Sequence, residues 1–114
     1  MRDCLFCGIV QKEVKGDVVY EDDSVVAFKD IKPQARVHIL IIPRKHIATL
    51  LDLRPEDGEV TGHIFQVAVK LAQEQGIAKN GFRVVANCGA DAGQTVFHLH
   101  YHLLGGRHFG WPPG

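Results

Sequence analysis

Between residues 97 and 103 the chain runs Phe97-His98-Leu99-His100-Tyr101-His102-Leu103, with polar and apolar side chains alternating without a break. A period of two is the pattern of a half-buried β-strand, in which side chains at i, i+2 and i+4 share one face. The spacing predicts His98, His100 and His102 in a row, roughly 6–7 Å from one to the next. Phe97, Leu99, Tyr101 and Leu103 are then directed into a core. Three of the seven histidines in the chain share that face. Burying three imidazoles together needs a partner for every ring nitrogen, because an unpaired buried polar group costs about 1–3 kcal/mol. The row demands a sheet with one dry face and one chemically equipped face.

The other patterns supply such a sheet. In residues 4–14, Leu5, Ile9 and Val10 fall near helical spacing and Gly16-Asp17 is a stop. This predicts a short N-terminal helix with Cys4 and Cys7 on one face. Val18-Val19-Tyr20 and Val25-Val26-Ala27-Phe28 flank the turn-forming Asp22-Asp23-Ser24 and predict a hairpin, after which Pro33 breaks the strand. Residues 37–42 are almost wholly β-branched or leucine, as in a central strand covered on both faces, and His38 is the one polar residue inside. Pro55-Glu56-Asp57 opens a helix with proline first and acids in the first turn, although Arg54 is a poor N-cap. Val60, Ile64, Val67, Ala68, Leu71 and Ala72 form its apolar stripe, which ends at Gly76. Residues 82–88 read as a further strand, 89–95 as a loop, and the tail from 107, with Trp111-Pro112-Pro113, as irregular. The order helix, hairpin, strand, helix, hairpin is not the alternation of a parallel sheet. It predicts one α+β domain over residues 1–114: an antiparallel sheet of about five strands, with a long helix and a short N-terminal helix on one face. So small a sheet has edges to cover, and dimerisation through the sheet or the long helix would cover them.

Composition narrows the partners. The 114 residues suffice for one hydrophobic core and not for two. Thirteen basic residues balance thirteen acidic ones, which excludes the basic footprint of a nucleic-acid-backbone binder but leaves room for a small anion. The longest apolar run, from Ile39 to Pro43, is too short to span a bilayer, and the start at Met1-Arg2-Asp3-Cys4 lacks the apolar segment of a signal peptide. The three cysteines, two of them in Cys4-Leu5-Phe6-Cys7, point to reduced thiols rather than a disulfide framework. The expectation is a cytoplasmic protein with neither nucleic acid nor membrane as partner.

Two kinds of chemistry fit the histidine row. His-x-His can hold a catalytic zinc, but such sites add a third histidine or a carboxylate and keep a position open for water. No acid lies within the strand. Alternatively an imidazole is the nucleophile. Neutral imidazole attacks phosphorus without a metal and leaves readily once protonated. One ring nitrogen must then be bare, and the other must keep its proton on an acceptor such as a carbonyl or a neighbouring histidine. The preceding loop favours this second class. Gly89, Gly93 and the small residues between them let backbone N–H groups turn toward an anion, and Gln94 and Thr95 add side-chain donors beside the first histidine. An N–H-rich loop leading into a nucleophile suits phosphoryl transfer.

The stretch His98-Leu99-His100-Tyr101-His102-Leu103-Leu104 resembles the His-φ-His-φ-His-φ-φ signature (φ apolar) of the histidine triad superfamily. The wider sequence resembles its Hint-like branch of purine nucleoside phosphoramidases. The likeness runs through Phe28-Lys29-Asp30-Ile31-Lys32-Pro33-Gln34-Ala35, Ile42-Pro43-Arg44-Lys45-His46, Asn87, Gly93-Gln94-Thr95 and Gly105-Gly106-Arg107 with Trp111-Pro112-Pro113-Gly114, essentially the whole chain.

The resemblance implies hydrolysis of purine nucleoside 5′-phosphoramidates through a covalent nucleotidyl-histidine, with an AMP- or GMP-type nucleotide as ligand. It implies His100 as the nucleophile, with His102 and His38 as the relay that fixes its tautomer and compensates its charge. Asn87, Gly93 and Thr95 match positions that hold the phosphate and assist the leaving group, with Gln94 in the same loop. Thr95 stands where the family more often has serine, keeping the hydroxyl and adding a methyl. Asp30 matches the carboxylate for the ribose hydroxyls, and Phe28, Ile31 and Val14 match the purine slot. A homodimer through one continuous sheet is implied, with the Trp111 tail reaching toward the partner's site. Catalysis needs no cofactor on this resemblance. Some superfamily members with an N-terminal cysteine pair hold a structural zinc, and the corresponding ligands are Cys4, Cys7, His46 and His98. Two sulfurs and two nitrogens suit a closed tetrahedral site. Cys88 is expected to be a reduced residue beside the active site. Two other functions remain: a zinc-dependent hydrolase, which chelation would inactivate, and a nucleotide-binding scaffold, which would hold AMP without turnover.

Overall fold

The strand at residues 37–43, apolar except for His38, is buried at every position, and the rest of the fold is laid on either side of it. The computed structural model describes residues 4–114, so the start at Met1 to Asp3 lies outside the described residues. The elements in chain order are α1 (Leu5–Val10), β1 (Val18–Glu21), β2 (Val25–Lys29), β3 (Val37–Pro43), α2 (Gly58–Glu74), β4 (Phe82–Val85) and β5 (Tyr101–Gly105), with 3-10 turns at Leu50–Asp52 and Pro55–Asp57. The five strands form one antiparallel sheet in the order β1-β2-β3-β5-β4. The predicted hairpin and central strand are both present. Among the described residues no helix is long and apolar enough to cross a membrane.

Alternation along the strands creates two cores. Val25, Ala27, Val37, Ile39, Ile41, Leu99, Tyr101 and Leu103 pack against Ile64, Val67, Ala68, Leu71 and Ala72 of α2. Val26, Phe28, Leu40 and Ile42 face the other way and pack against Phe6 and Ile9 of α1. The helices therefore cover opposite faces, which corrects the expectation that both lie on one. An amphipathic α2 can dry only one face, and β3 is apolar on both, so the small α1 is needed on the second.

Element boundaries differ from the sequence patterns in four places. Residues 55–57 form a 3-10 turn, and α2 begins only at Gly58. The Asp57 carboxylate accepts the Arg54 N–H at 2.9 Å and the Lys45 ammonium at 2.7 Å, making good the poor cap. At the other end Gly76 takes φ +75°, the left-handed stop that glycine permits. α1 is shorter than the apolar spacing of residues 4–14 suggests: Lys12 turns to φ +61°, and Val14 folds back over Gly8 so closely that a Cβ there would lie 2.6 Å from its Cγ2. Its inward face is Phe6 and Ile9, whereas Leu5 is half exposed. β4 stops at Val85 rather than continuing to residue 88, and β5 starts only at Tyr101. His98 and His100 consequently precede the strand, and Phe97 is 52% exposed rather than in the core.

Candidate active site

His38 on β3 and His102 on β5 share the α1 face of the sheet. The register sets His38 opposite Leu104 and Leu40 opposite His102, so the two histidines are diagonal neighbours. Their rings meet, His38 Nε2 to His102 Nδ1, at 2.9 Å. The Gln34 N–H donates to His38 Nδ1 at 3.0 Å. A backbone N–H can only donate, so Nδ1 of neutral His38 is bare and Nε2 carries the proton. That proton goes to His102 Nδ1, which leaves His102 with its own proton on Nε2. Burial pushes the pKa of His38 down, against the nearby Asp30 carboxylate, which raises it. Burial, and then the facing His100 and His38, push His102 down to about 4, Asp30 again opposing. Both rings are neutral at pH 7, as the proton inventory requires.

His100 is fixed by a different acceptor. Its Nδ1–H donates to the carbonyl of His98 at 2.7 Å, so the bare nitrogen is Nε2. Its ring lies 5.1 Å from that of His102, centroid to centroid, and Phe6 stands edge-on to it at 5.2 Å. Phe6 meets Phe28 at the same distance, which forms an aromatic wall beside the histidine. Asp30, just after β2, turns Oδ2 to within 3.4 Å of His38 Nε2 while Oδ1 accepts the Lys32 N–H at 2.8 Å. His38, His100, His102, Asp30 and Phe28 are thus brought together. Ile31 beside Asp30 is exposed, and Val14 is spent against Gly8 at the end of α1. Trp111 is 84% exposed on a tail whose Phe109 ring is met by the guanidinium groups of Arg83, at 5.3 Å, and Arg107, at 4.3 Å.

The loop before the histidines uses its donors differently from the expectation. Gly89 and Gly93 both take φ +86°. The Gly93 N–H donates to Ala90 O, the Gln94 N–H to Gly89 O, and the Gly89 N–H to Gln94 Oε1, each at 3.0 Å. Gln94 Nε2 is spent on the carbonyls of Ala48 and Val96. Gln94 is buried and braces the loop from within. The hydroxyl and N–H of Thr95 and the side-chain amide of Asn87 remain without partners among the described residues.

A second cluster adjoins the first. The ligand atoms of Cys4, Cys7, His46 and His98 all lie within 4.8 Å of one another. His98 Nδ1 is 3.5 Å from both sulfurs, and His46 Nδ1 is 3.2 Å from Cys7 Sγ. A tetrahedral zinc with bonds of about 2.3 Å to sulfur and about 2.0 Å to nitrogen sets S and N roughly 3.5 Å apart, so the residues fit the ion. The Nε2–H of His98 donates to Pro43 O at 2.8 Å, which turns the lone pair of Nδ1 toward the sulfurs. Cys4 is the N-cap of α1, and its sulfur accepts the Cys7 N–H at 3.3 Å, so the pair is not carried on one helix face. Asp30, His38 and His102 also have metal-ligand spacing, but the proton on His38 Nε2 occupies the centre of that set.

Four participants leave little or no trace in the sequence. The Gln34 N–H and the carbonyls of Pro43 and His98 are backbone groups. Phe6 could have been found from its i, i+3 pairing with Ile9 on the inner face of α1.

Residues 3–110 match the family described as scavenger mRNA decapping enzyme C-term binding. The chain is 45% identical over 109 residues to the purine nucleoside phosphoramidase of Escherichia coli K12, spanning 96% of this chain and 92% of that protein. A HIT family hydrolase from Legionella pneumophila superposes with a TM-score of 0.96 at 51% identity, covering 98% of this chain and all of the other. A Zn-bound histidine triad family protein from Mycobacterium smegmatis superposes with a TM-score of 0.80 at 32% identity, over 98% of this chain and 80% of that one. The chain belongs to the histidine triad superfamily.

Proposed function

We propose that the protein hydrolyses purine nucleoside 5′-phosphoramidates, giving the nucleoside monophosphate and an amine, through a covalent nucleotidyl intermediate on His100. The observation that carries this reading is the proton inventory, which leaves His100 Nε2 bare beside two neutral histidines. In the first step Nε2 attacks the α-phosphorus and the P–N bond of the substrate breaks. The imidazole becomes cationic because Nδ1 keeps its proton on the His98 carbonyl. The Nε2–H of His102 donates to a phosphoryl oxygen, and Asp30 lies on the far side of the relay as the compensating charge. The departing nitrogen takes a proton at the Thr95 hydroxyl, which is exposed to solvent and replenished from it. In the second step water attacks phosphorus, and the cationic imidazole is a good leaving group.

Asp30 Oδ2 serves the ribose hydroxyls as well as the relay in this reading. Phe28 and Phe6 form the floor of the purine slot, with Ile31 at its rim. Asn87 and Thr95 hold the phosphate, whereas Gly93 and Gln94 act by shaping the loop. The Cys4, Cys7, His46 and His98 group would hold a structural zinc. Four protein ligands would satisfy such an ion without a water, so its contribution would be to stability, which favours imidazole chemistry over zinc hydrolysis. The name of the E. coli relative agrees with this substrate class.

Residues 1–114 form a single histidine triad domain in a cytoplasmic homodimer on this reading. Support comes from the edge position of β4 and from the half-exposed Phe65 and Val69 on α2, which a second copy could cover. The test is the His100→Ala variant assayed on adenosine 5′-phosphoramidate. Hydrolysis should vanish while the circular dichroism of the fold persists, and an unchanged rate refutes the proposal.

A further inference from the structure

The nucleophile's own segment has no strand to hold it. β5 begins at Tyr101, so His98, Leu99 and His100 lie outside the sheet ladder. Among the described residues a backbone bond fastens them, from the Leu99 N–H to Ile47 O, next to His46. The other anchor is the ring of His98, which is wholly buried, with Nε2 on Pro43 O and Nδ1 between the sulfurs of Cys4 and Cys7. The carbonyl of this same residue accepts the Nδ1–H of His100. α1 is tied to the same place. Its six residues are too few for a helix stable alone, Cys4 caps it, and Phe6 between the two cysteines stands against His100.

We propose that the Cys4, Cys7, His46 and His98 group, when it holds zinc, positions the His100 nucleophile as well as stabilising the fold. The inference rests on the reading of His100 given above. Zinc takes no part in any bond change, and Cys4, Cys7 and His98 are positioning residues. By fixing the ring of His98 the group fixes the carbonyl that keeps the His100 proton on Nδ1. Without it the carbonyl swings away, the proton exchanges to Nε2, and that fraction of the protein has no nucleophile. Asp30, Phe28 and Asn87 are placed by the strands and adjoining turns instead, so nucleotide affinity falls only by what the loosening of Phe6 on α1 takes from the purine slot.

The experiment compares zinc-loaded, zinc-depleted and zinc-restored wild type with Cys4→Ser/Cys7→Ser. It measures zinc by elemental analysis, kcat and KM on adenosine 5′-phosphoramidate, and the ring 15N shifts of His100 at pH 7. Depletion should lower kcat about 10- to 100-fold with KM moving less than about threefold. The His100 ring signals should pass from a pure Nδ1–H pattern to a mixture, and added zinc should restore both readouts in wild type. If the double variant does not fold, the zinc-depleted and zinc-restored wild type carry the test, with kcat and the ring 15N pattern read only on depleted protein whose circular dichroism matches the loaded form. Folded zinc-free protein with unchanged kcat and an unchanged ring pattern overturns the proposal, as does folded wild type that binds no zinc. The 15N pattern is read without turnover, so this failure is distinct from loss of the His100 assignment itself.

Discussion

Acidification from pH 7 to pH 4 should weaken the protein through His102, and the size of the loss follows from the relay. The group is pushed down from an ordinary 6.5 to about 4, first by burial and then by the two histidines facing it. Its folded pKa lies below its unfolded one, so between the two values the unfolded chain binds more protons. Stability is therefore fully present above about pH 6.5, is lost as the pH falls toward 4, and loses nothing more from this group below that. At about 1.4 kcal/mol per pH unit the full depression corresponds to about 3 kcal/mol, and solvent screening of a partly exposed ring reduces this to about 2 kcal/mol. His38, also pushed down, adds in the same direction. The carboxyls of Glu21 and Asp57 are lowered from 4.5 and 3.8, so their contributions begin to fall as the pH approaches those values and are lost below them, in wild type and variant alike. Asp22 behaves likewise: burial pushes its carboxyl up, but hydrogen bonds from His63, Tyr20 and two backbone N–H groups outweigh it. The assay is urea unfolding at half-unit pH steps for wild type and His102→Gln. Acid strips a bound metal from both proteins alike, so the difference between them isolates the ring. Wild type should lose about 2 kcal/mol more than the variant across the window. Parallel curves would show that His102 is not held neutral by the fold, and the proton inventory would fail with it.

Other outcomes are tied to single contacts. In Gly105→Ala the new methyl meets Ile77 Cδ1 at 2.5 Å and Cβ at 2.9 Å under the sheet, so urea unfolding should show a loss of about 2 kcal/mol. Leu103→Ala empties a site with no exposure in the main core and should cost about 3 kcal/mol in the same measurement, with the KM of surviving protein unchanged. Asp30→Asn should raise KM for the ribonucleoside substrate about tenfold while leaving that of the 2′,3′-dideoxy analogue nearly unchanged. Equal effects on the two sugars would remove Asp30 from ribose recognition.

The sequence showed β3, α2 and the β1–β2 hairpin because burial dictates those residues and little else competes. It misjudged residues 97–103 for a physical reason. Alternation reports that successive side chains have opposite surroundings, and an extended segment outside the sheet satisfies that as well as a strand does. Here His98 turns to the cysteines and Phe97 to solvent, which no periodicity distinguishes from a ladder. The length of α1 was obscured in the same way, because packing of Val14 on Gly8 ends the helix where the apolar spacing does not. The histidine cluster itself was legible, since imidazoles in a row need partners. Their proposed division into a nucleophile, a relay and a metal ligand rests on the Gln34 N–H and the carbonyls of His98 and Pro43, which side-chain identities do not encode. The loop at 89–95 was legible as a tight turn, but its glycine N–H groups bond within it, leaving Thr95 and Asn87 with the open donors.

The stereochemical course at phosphorus tests the central claim most directly. Adenosine 5′-thiophosphoramidate of one configuration, hydrolysed in 18O-labelled water, should give a thiophosphate with retained configuration, because attack by His100 and then by water inverts phosphorus twice. Inversion would mean that water displaces the amine in one step, and would contradict the covalent nucleotidyl-His100 intermediate.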